Sequence, residues 1–219
     1  MIQFFAYPES VFCAKVRIAL DMKGLEYVEV PPPDGYGSAT YKEVIPAGSI
    51  PGLKDDNAAL SDSNAILEYL EEIAPSPALL PEHPVARAEV RALMGLHDTR
   101  IEPSVRAFYE SIKSGTPPRD EIYSQLIEEM SAAFERLEDV IEAAPYAVGP
   151  HVTLVECAYA TTFSQAQQLA SLFGGELRLK PKCLRWWQEM QSLSHAAASI
   201  DMNRKAMQDW VAKFIQMDA

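Results

Sequence analysis

Pro75, Pro77, Pro81 and Pro84 fall within one short stretch, and the chain reads differently on its two sides. Before it, short aromatic and β-branched runs alternate with apolar residues at helical spacing; after it, only helical spacing recurs. Proline lacks the amide donor and the freedom in φ that regular structure uses, so a proline-rich stretch between two patterned regions predicts a connection between folded units. This places one unit at residues 1–75, a linker at 76–84 and a second unit at 85–219. With 219 residues, 48% of them hydrophobic, the chain is long enough to bury a core in each.

In the first unit, Ile2 to Tyr7 (IQFFAY) has strand propensity and stops at Pro8. Ser10 stands where a helix cap is needed, ahead of Phe12, Val16, Ala19 and Leu20 on one face, and Gly24 is placed to end that helix near residue 23. Tyr27 to Val30 reads as a second strand, closed by Pro31, Pro32 and Pro33. Strand, helix, strand is a βαβ unit with parallel strands. A loop follows, with a brief helical turn at Tyr41 to Ile45. Leu53-Lys54 and Ala58 to Leu60 flank the turn residues Asp55-Asp56-Asn57 and predict an antiparallel hairpin. Ser61-Asp62-Ser63 then leads into Ala65, Ile66, Tyr69, Leu70 and Ile73 at helical spacing. The βαβ-ββα order predicts a mixed four-stranded sheet with helices packed on it.

The second unit shows helical periodicity over residues 85–113, 120–143, 154–173, 182–192 and 203–216, with no strand pattern and no internal repeat, so it is expected to be all-α. Thr153-Leu-Val-Glu156 has the spacing of a capping box, a structural device. Trp186, Trp187 and Trp210 read as anchors of the helical core.

Charge and cysteine usage narrow the function. Lys plus Arg total 19 against 31 Asp plus Glu, a net charge of −12, which excludes nucleic acid as the main partner. No apolar run approaches the roughly 20 residues needed to cross a bilayer, and the start MIQFFAYPESVF carries no positive n-region. No membrane contact and a cytoplasmic location are expected. Cys13, Cys157 and Cys183 stand far apart, and His83, His97, His151 and His195 are scattered, so neither a disulfide framework nor a metal site is expected.

Three junctions of the first unit carry candidate chemistry. Ser10 opens a helix after a strand, where free amides and the helix dipole favour an anion or thiolate; it is either a cap alone or a cap with that added role. Cys13 lies in the same first turn, either as a small buried side chain or as a thiolate. Pro51 in Ala47-Gly48-Ser49-Ile50-Pro51 is either an ordinary strand start or a cis proline that offers the Ile50 backbone to an extended, peptide-like ligand. Asp62 and Ser63 either cap the next helix or hold the ammonium and carboxylate of an amino-acid end.

These segments, in this order, resemble the cytosolic glutathione transferase superfamily over nearly the whole chain. The resemblance rests on Ser10 with Val16-Arg17-Ile18-Ala19-Leu20, on Ile45-Pro46-Ala47-Gly48-Ser49-Ile50-Pro51, on Asp62 to Glu72 (DSNAILEYLEE), and on Gly149 to Ala158 with Glu156 where Asp is usual. It implies an α/β thioredoxin-like N-terminal domain that binds glutathione, joined to an all-α domain that forms an electrophile pocket. It further implies a homodimer and glutathione as co-substrate without a metal. Carried over by position, Ser10 is the thiol-activating residue and Tyr7 the runner-up. Ile50 and Pro51 hold the cysteinyl part, with Pro51 cis, and Asp62 and Ser63 hold the γ-glutamyl end. Ser49 stands where many members have a basic residue, for which Lys42 or Lys15 is the candidate substitute. The co-substrate pocket is expected to draw on Phe12, His97, Arg100 and Tyr109, with Met94, Asp98, Ile101 and Arg106 nearby. The implied reaction is attack of a glutathione thiolate on a small electrophile, with isomerase, dehalogenase or ether-cleaving chemistry as alternatives. A non-catalytic ligand- or protein-binding module of the same fold is the alternative from another class.

Overall fold

A computed structural model describes residues 1–215; the last residue of the helix expected over 203–216 lies outside the described residues. The first part runs β1 (Ile2–Phe5), α1 (Val11–Met22), β2 (Tyr27–Val30), α2 (Ala39–Lys42), β3 (Gly52–Lys54), β4 (Ala59–Ser61) and α3 (Ser63–Ile73). Its four strands form one sheet in the order β2-β1-β3-β4. β1 pairs parallel with β2 in the register Ile2 to Tyr27, and antiparallel with β3, which pairs antiparallel with β4. This is the mixed four-stranded sheet that the element order predicts, and it agrees with the thioredoxin-like domain that the resemblance implies. The short helix lies at residues 39–42 rather than 41–45, because the Ser38 side chain accepts from the Tyr41 amide and caps it there.

Residues 74–83 run without helix or strand to α4 (Pro84–Leu96). Proline at the first helical position loses no intrahelical bond, and His83 Nδ1 accepts from the Val85 amide in front of it. Buried Lys23 fixes the connection, donating to the carbonyls of Ala74 and Pro77 while paired with Glu71 at 2.6 Å. Leu79 then accepts from the Leu154 amide.

The expected helix over 85–113 is three helices, α4, α5 (Glu102–Arg106) and α6 (Phe108–Lys113), with a π-helical turn at His97–Ile101 ahead of Pro103. The helix expected over 120–143 is α7 (Glu121–Glu135) plus a 3-10 turn at Arg136–Asp139, and Ala143, in the left-handed region at φ 53°, lies beyond both. α8 (Leu154–Leu172) and α9 (Pro181–Gln191) match expectation, whereas α10 (Ser194–Ala212) starts well before residue 203. Its first turns bury small residues, Ala196 and Ser199, and so lack the large apolar stripe that periodicity detects. Among the described residues the second part contains no strand beyond one isolated bridge, Tyr146 with Gly149.

One apolar core joins both parts, running from Phe4 and Leu53 of the sheet through Ile18 and Leu20 of α1 to Cys157, Phe163 and Trp186. α1 is the shared element, packed against α3 on one side and against α8 and α10 on the other. The capping box at Thr153 and Glu156 is present, and buried Glu156 accepts from the amides of Thr153 and Ala147, the Thr153 hydroxyl and the Trp186 indole, at 2.8–2.9 Å. Burial pushes this carboxyl up and its four donors pull it down; its acidity stays weaker than usual.

Candidate active site

A cleft of about 320 Å³ opens where the first turn of α1 faces α5, α6 and α10. Tyr7, Glu9, Ser10 and Phe12 line one side and Tyr36, Ser49 and Ile50 another. Ser10 takes its place because β1 ends at Pro8 and the chain turns at once, with the Ser10 amide donating to the Tyr7 carbonyl at 3.2 Å. Its Oγ accepts from the Cys13 amide at 3.3 Å and so caps α1. Capping uses the oxygen as an acceptor and leaves the hydroxyl proton to donate. A sulfur atom placed against Ser10 would meet that donor and the positive end of the helix dipole together.

The opposite wall is built from Glu102 and Arg106 of α5 and Tyr109 and Lys113 of α6, with Met207 and Trp210 from α10. Arg106 donates to both oxygens of buried Glu102, at 2.5 and 3.1 Å, and its guanidinium stacks 5.7 Å from the Phe12 ring centre and 5.9 Å from that of Tyr109. Burial raises the Glu102 carboxyl above its usual range and pushes the Tyr109 phenol up to about 12. The Tyr109 hydroxyl accepts from Gln165 at 2.5 Å, which leaves its proton free. Trp210 is half-buried, packed against the core as expected and lining the cleft as well, whereas Trp186 and Trp187 lie wholly in the core.

Of the other residues picked out by sequence, Ile50 lines the cleft and its bond to Pro51 is cis. Pro51, Asp62, Ser63 and Lys42 are not among the residues lining it. Asp62, at φ 71°, caps α3 by accepting from the amides of Asn64 and Ala65. Lys42 is exposed with its stem beside Gly48, and Lys15 is wholly buried against Asp98, so it is withdrawn from any ligand carboxylate.

His97 and Arg100 stay outside the cleft. His97 is fully buried, 2.7 Å from Asp98 Oδ1 and 2.8 Å from the Thr162 hydroxyl, with its ring edge-on to Tyr159 and Phe12. His97 follows Val90, Leu93 and Met94 on the buried stripe of α4, and Arg100, three residues on, is exposed. Glu102, Lys113, Met207 and Trp210 reach the cleft only through helix packing; for Glu102 and Lys113 the 102, 106, 109, 113 spacing was the available signal. Cys13 is buried, and burial pushes its thiol up to about 11. Among the described residues no group of His, Cys, Asp or Glu is arranged to hold a metal, and no helix is long and apolar enough to cross a membrane.

Comparison with known proteins defines the class. The family described as glutathione S-transferase, N-terminal domain, matches residues 4–78. A stringent starvation protein A homolog of Pasteurella multocida is 32% identical over 80% of this chain and 79% of its own. The maleylacetoacetate isomerase of Rattus norvegicus is 32% identical over 75% of this chain and 77% of its own. A solved glutathione transferase homolog from Sulfitobacter, with bound glutathione, superposes with a TM-score of 0.70 at 22% identity, over 92% of this chain and 97% of its own. The chain belongs to the cytosolic glutathione transferase superfamily.

Proposed function

We propose that the protein binds glutathione in the cleft and activates its thiol as a thiolate for transfer to a small electrophile. The observation that carries this reading is Ser10: a cap whose hydroxyl keeps a free proton, at the start of a twelve-residue helix, facing the space between the two parts. A free thiol ionises near about 8.5, and a drop of roughly two units corresponds to about 2.7 kcal/mol of preference for the thiolate. The Ser10 hydroxyl and the helix N-terminus together are of the right kind to supply it.

Residues 1–75 act as the glutathione domain, 76–84 as the connection and 85–219 as the pocket domain. Ile50 and Pro51 hold the cysteinyl backbone, while Asp62 and Ser63 hold the γ-glutamyl end, with Lys42, whose stem lies beside Gly48, in place of a basic residue at Ser49. The electrophile sits between Phe12, Tyr109 and Trp210, where the protonated phenol of Tyr109 faces a developing negative charge. His97 and Arg100 have no contact role in this reading. The likeness to a maleylacetoacetate isomerase supports isomerisation through a reversible thiol adduct as one form of the same chemistry. A cytoplasmic homodimer completes the proposal, and three free, buried cysteines suit a reducing compartment.

A second reading, a non-catalytic binding module, is favoured by Glu9 and Glu102, two carboxylates in the cleft, and by the absence of a cation at Ser49. Glutathione conjugation to a panel of aryl halides, activated alkenes and epoxides separates the two. The enzyme reading expects turnover that Ser10→Ala lowers at least tenfold and Tyr7→Phe leaves nearly intact. Glutathione binding without turnover of any member supports the module.

A further inference from the structure

The carbonyl of Pro8 sits two residues before Ser10, and among the described residues no backbone amide is bonded to it. Its partner comes from the far end of the chain: Nδ2 of Asn203, on α10, donates to it at 3.1 Å. Asn203 is 1% exposed, and among the described residues its own Oδ1 has no hydrogen-bond partner. A buried acceptor without a partner is unfavourable, and a leucine of similar size would fill the same space without it. The single bond that Asn203 does make therefore marks what the polar side chain does there. It ties α10 to the turn Tyr7-Pro8-Glu9-Ser10, the only link between β1 and α1. One and two turns further along the same helix, Met207 and Trp210 form the cleft wall opposite that turn.

We propose, resting on the thiol-activation reading above, that Asn203 is a positioning residue that holds the Ser10 turn in register with the electrophile wall of α10. The Ser10 hydroxyl must aim its one free proton at a sulfur bound between Ile50 and the helix start. A hydrogen bond to sulfur weakens steeply once its angle opens. Without Asn203, the Pro8 carbonyl seeks water, the turn moves and the hydroxyl is aimed elsewhere while still capping α1. Asn203 touches neither glutathione nor electrophile.

The test uses the intact protein with Asn203→Leu and Asn203→Ala, each followed by ultraviolet titration of the glutathione thiolate, by kcat and KM for one electrophile, and by thermal unfolding. The proposal expects the apparent thiol pKa to rise by about one unit in both variants, lowering the thiolate fraction at neutral pH by up to tenfold. It expects kcat to fall with little change in the KM for glutathione, and the pH-rate profile to move to higher pH. Asn203→Leu is expected to unfold near the wild-type temperature, since one orphaned acceptor replaces another. If Asn203→Leu is folded and its thiol titrates as in the wild type, Asn203 is packing only and the proposal is overturned; if Asn203→Leu does not fold, the same result from Asn203→Ala decides it. If Ser10→Ala also leaves the titration unmoved, the thiol-activation reading itself has failed.

Discussion

Nζ of Lys15 lies 3.2 Å from Oδ1 of Asp98, and none of the lysine side chain is exposed. The same carboxylate accepts from Asn64 of α3 at 2.7 Å and faces His97 Nδ1 at 2.7 Å. One carboxylate from the helical part thus gathers a cation from α1, an amide from α3 and a ring from its own turn. Asp98→Ala leaves all three without it, and a broken buried pair costs roughly 3 kcal/mol. Lys15→Met is expected to cost less, because Asp98 keeps its other two partners. Urea denaturation of both variants checks the order.

The same cluster sets a pH dependence. Burial holds His97 below its usual range, and Asp98 is held down by the His97 hydrogen bond and the Lys15 charge although burial alone would raise it. In the unfolded chain these groups take up protons near roughly pH 6.5 and 3.9. Both folded values are depressed, so the unfolded state binds more protons between each pair of values. Their contribution is fully present above about pH 7 and is lost as pH falls through the histidine and then the aspartate range. The urea midpoint of the wild type should decline from neutrality to pH 4, and His97→Phe should flatten the upper part of that decline.

Gly52 begins β3, and a Cβ there would collide with the Tyr41 hydroxyl and the Ile45 side chain. Tyr41 in turn donates to the Ser49 carbonyl at 3.0 Å, in the loop that presents Ile50. Gly52→Ala is therefore expected to cost about 1–3 kcal/mol by overpacking and to weaken glutathione binding as the loop shifts. Calorimetric titration with glutathione, beside a melting curve, measures both.

Glu156 accepts from the Trp186 indole at 2.8 Å while it also holds the amides of Thr153 and Ala147. Glu156→Asp draws the carboxylate back from Trp186 or from the Thr153 amide, a loss of roughly 1 to 2 kcal/mol. The tryptophan fluorescence transition in urea should move to lower denaturant; an unchanged midpoint would mean that the four contacts are not simultaneous.

The fold was legible because its signals are local. Pro8, Ser10, Gly24 and the three prolines after Val30 delimit a strand, a helix and a strand within a few residues of their observed ends, and Asp62 marks α3. The helical part was less legible where the pattern is carried by small residues, as at Ala196 and Ser199, or where a proline splits a continuous stripe, as at Pro103. The cleft was half legible. Ser10, Phe12 and Ile50 sit at punctuated junctions, whereas Met207 and Trp210 reach the cleft, and Asn203 the Pro8 carbonyl, from the far end of the chain through packing that no spacing encodes. His97 was mislocated because it continues the buried stripe of α4, after Val90, Leu93 and Met94, and so enters the core rather than the cleft.

The ionisation of bound glutathione tests thiol activation by Ser10 most directly. On titration of the thiolate absorbance, the thiol bound to the wild type is expected to ionise about two units below the free thiol, and the thiol bound to Ser10→Ala near the free value. Glutathione that binds the wild type with the acidity it has in water would contradict thiol activation and leave Ser10 as a helix cap alone.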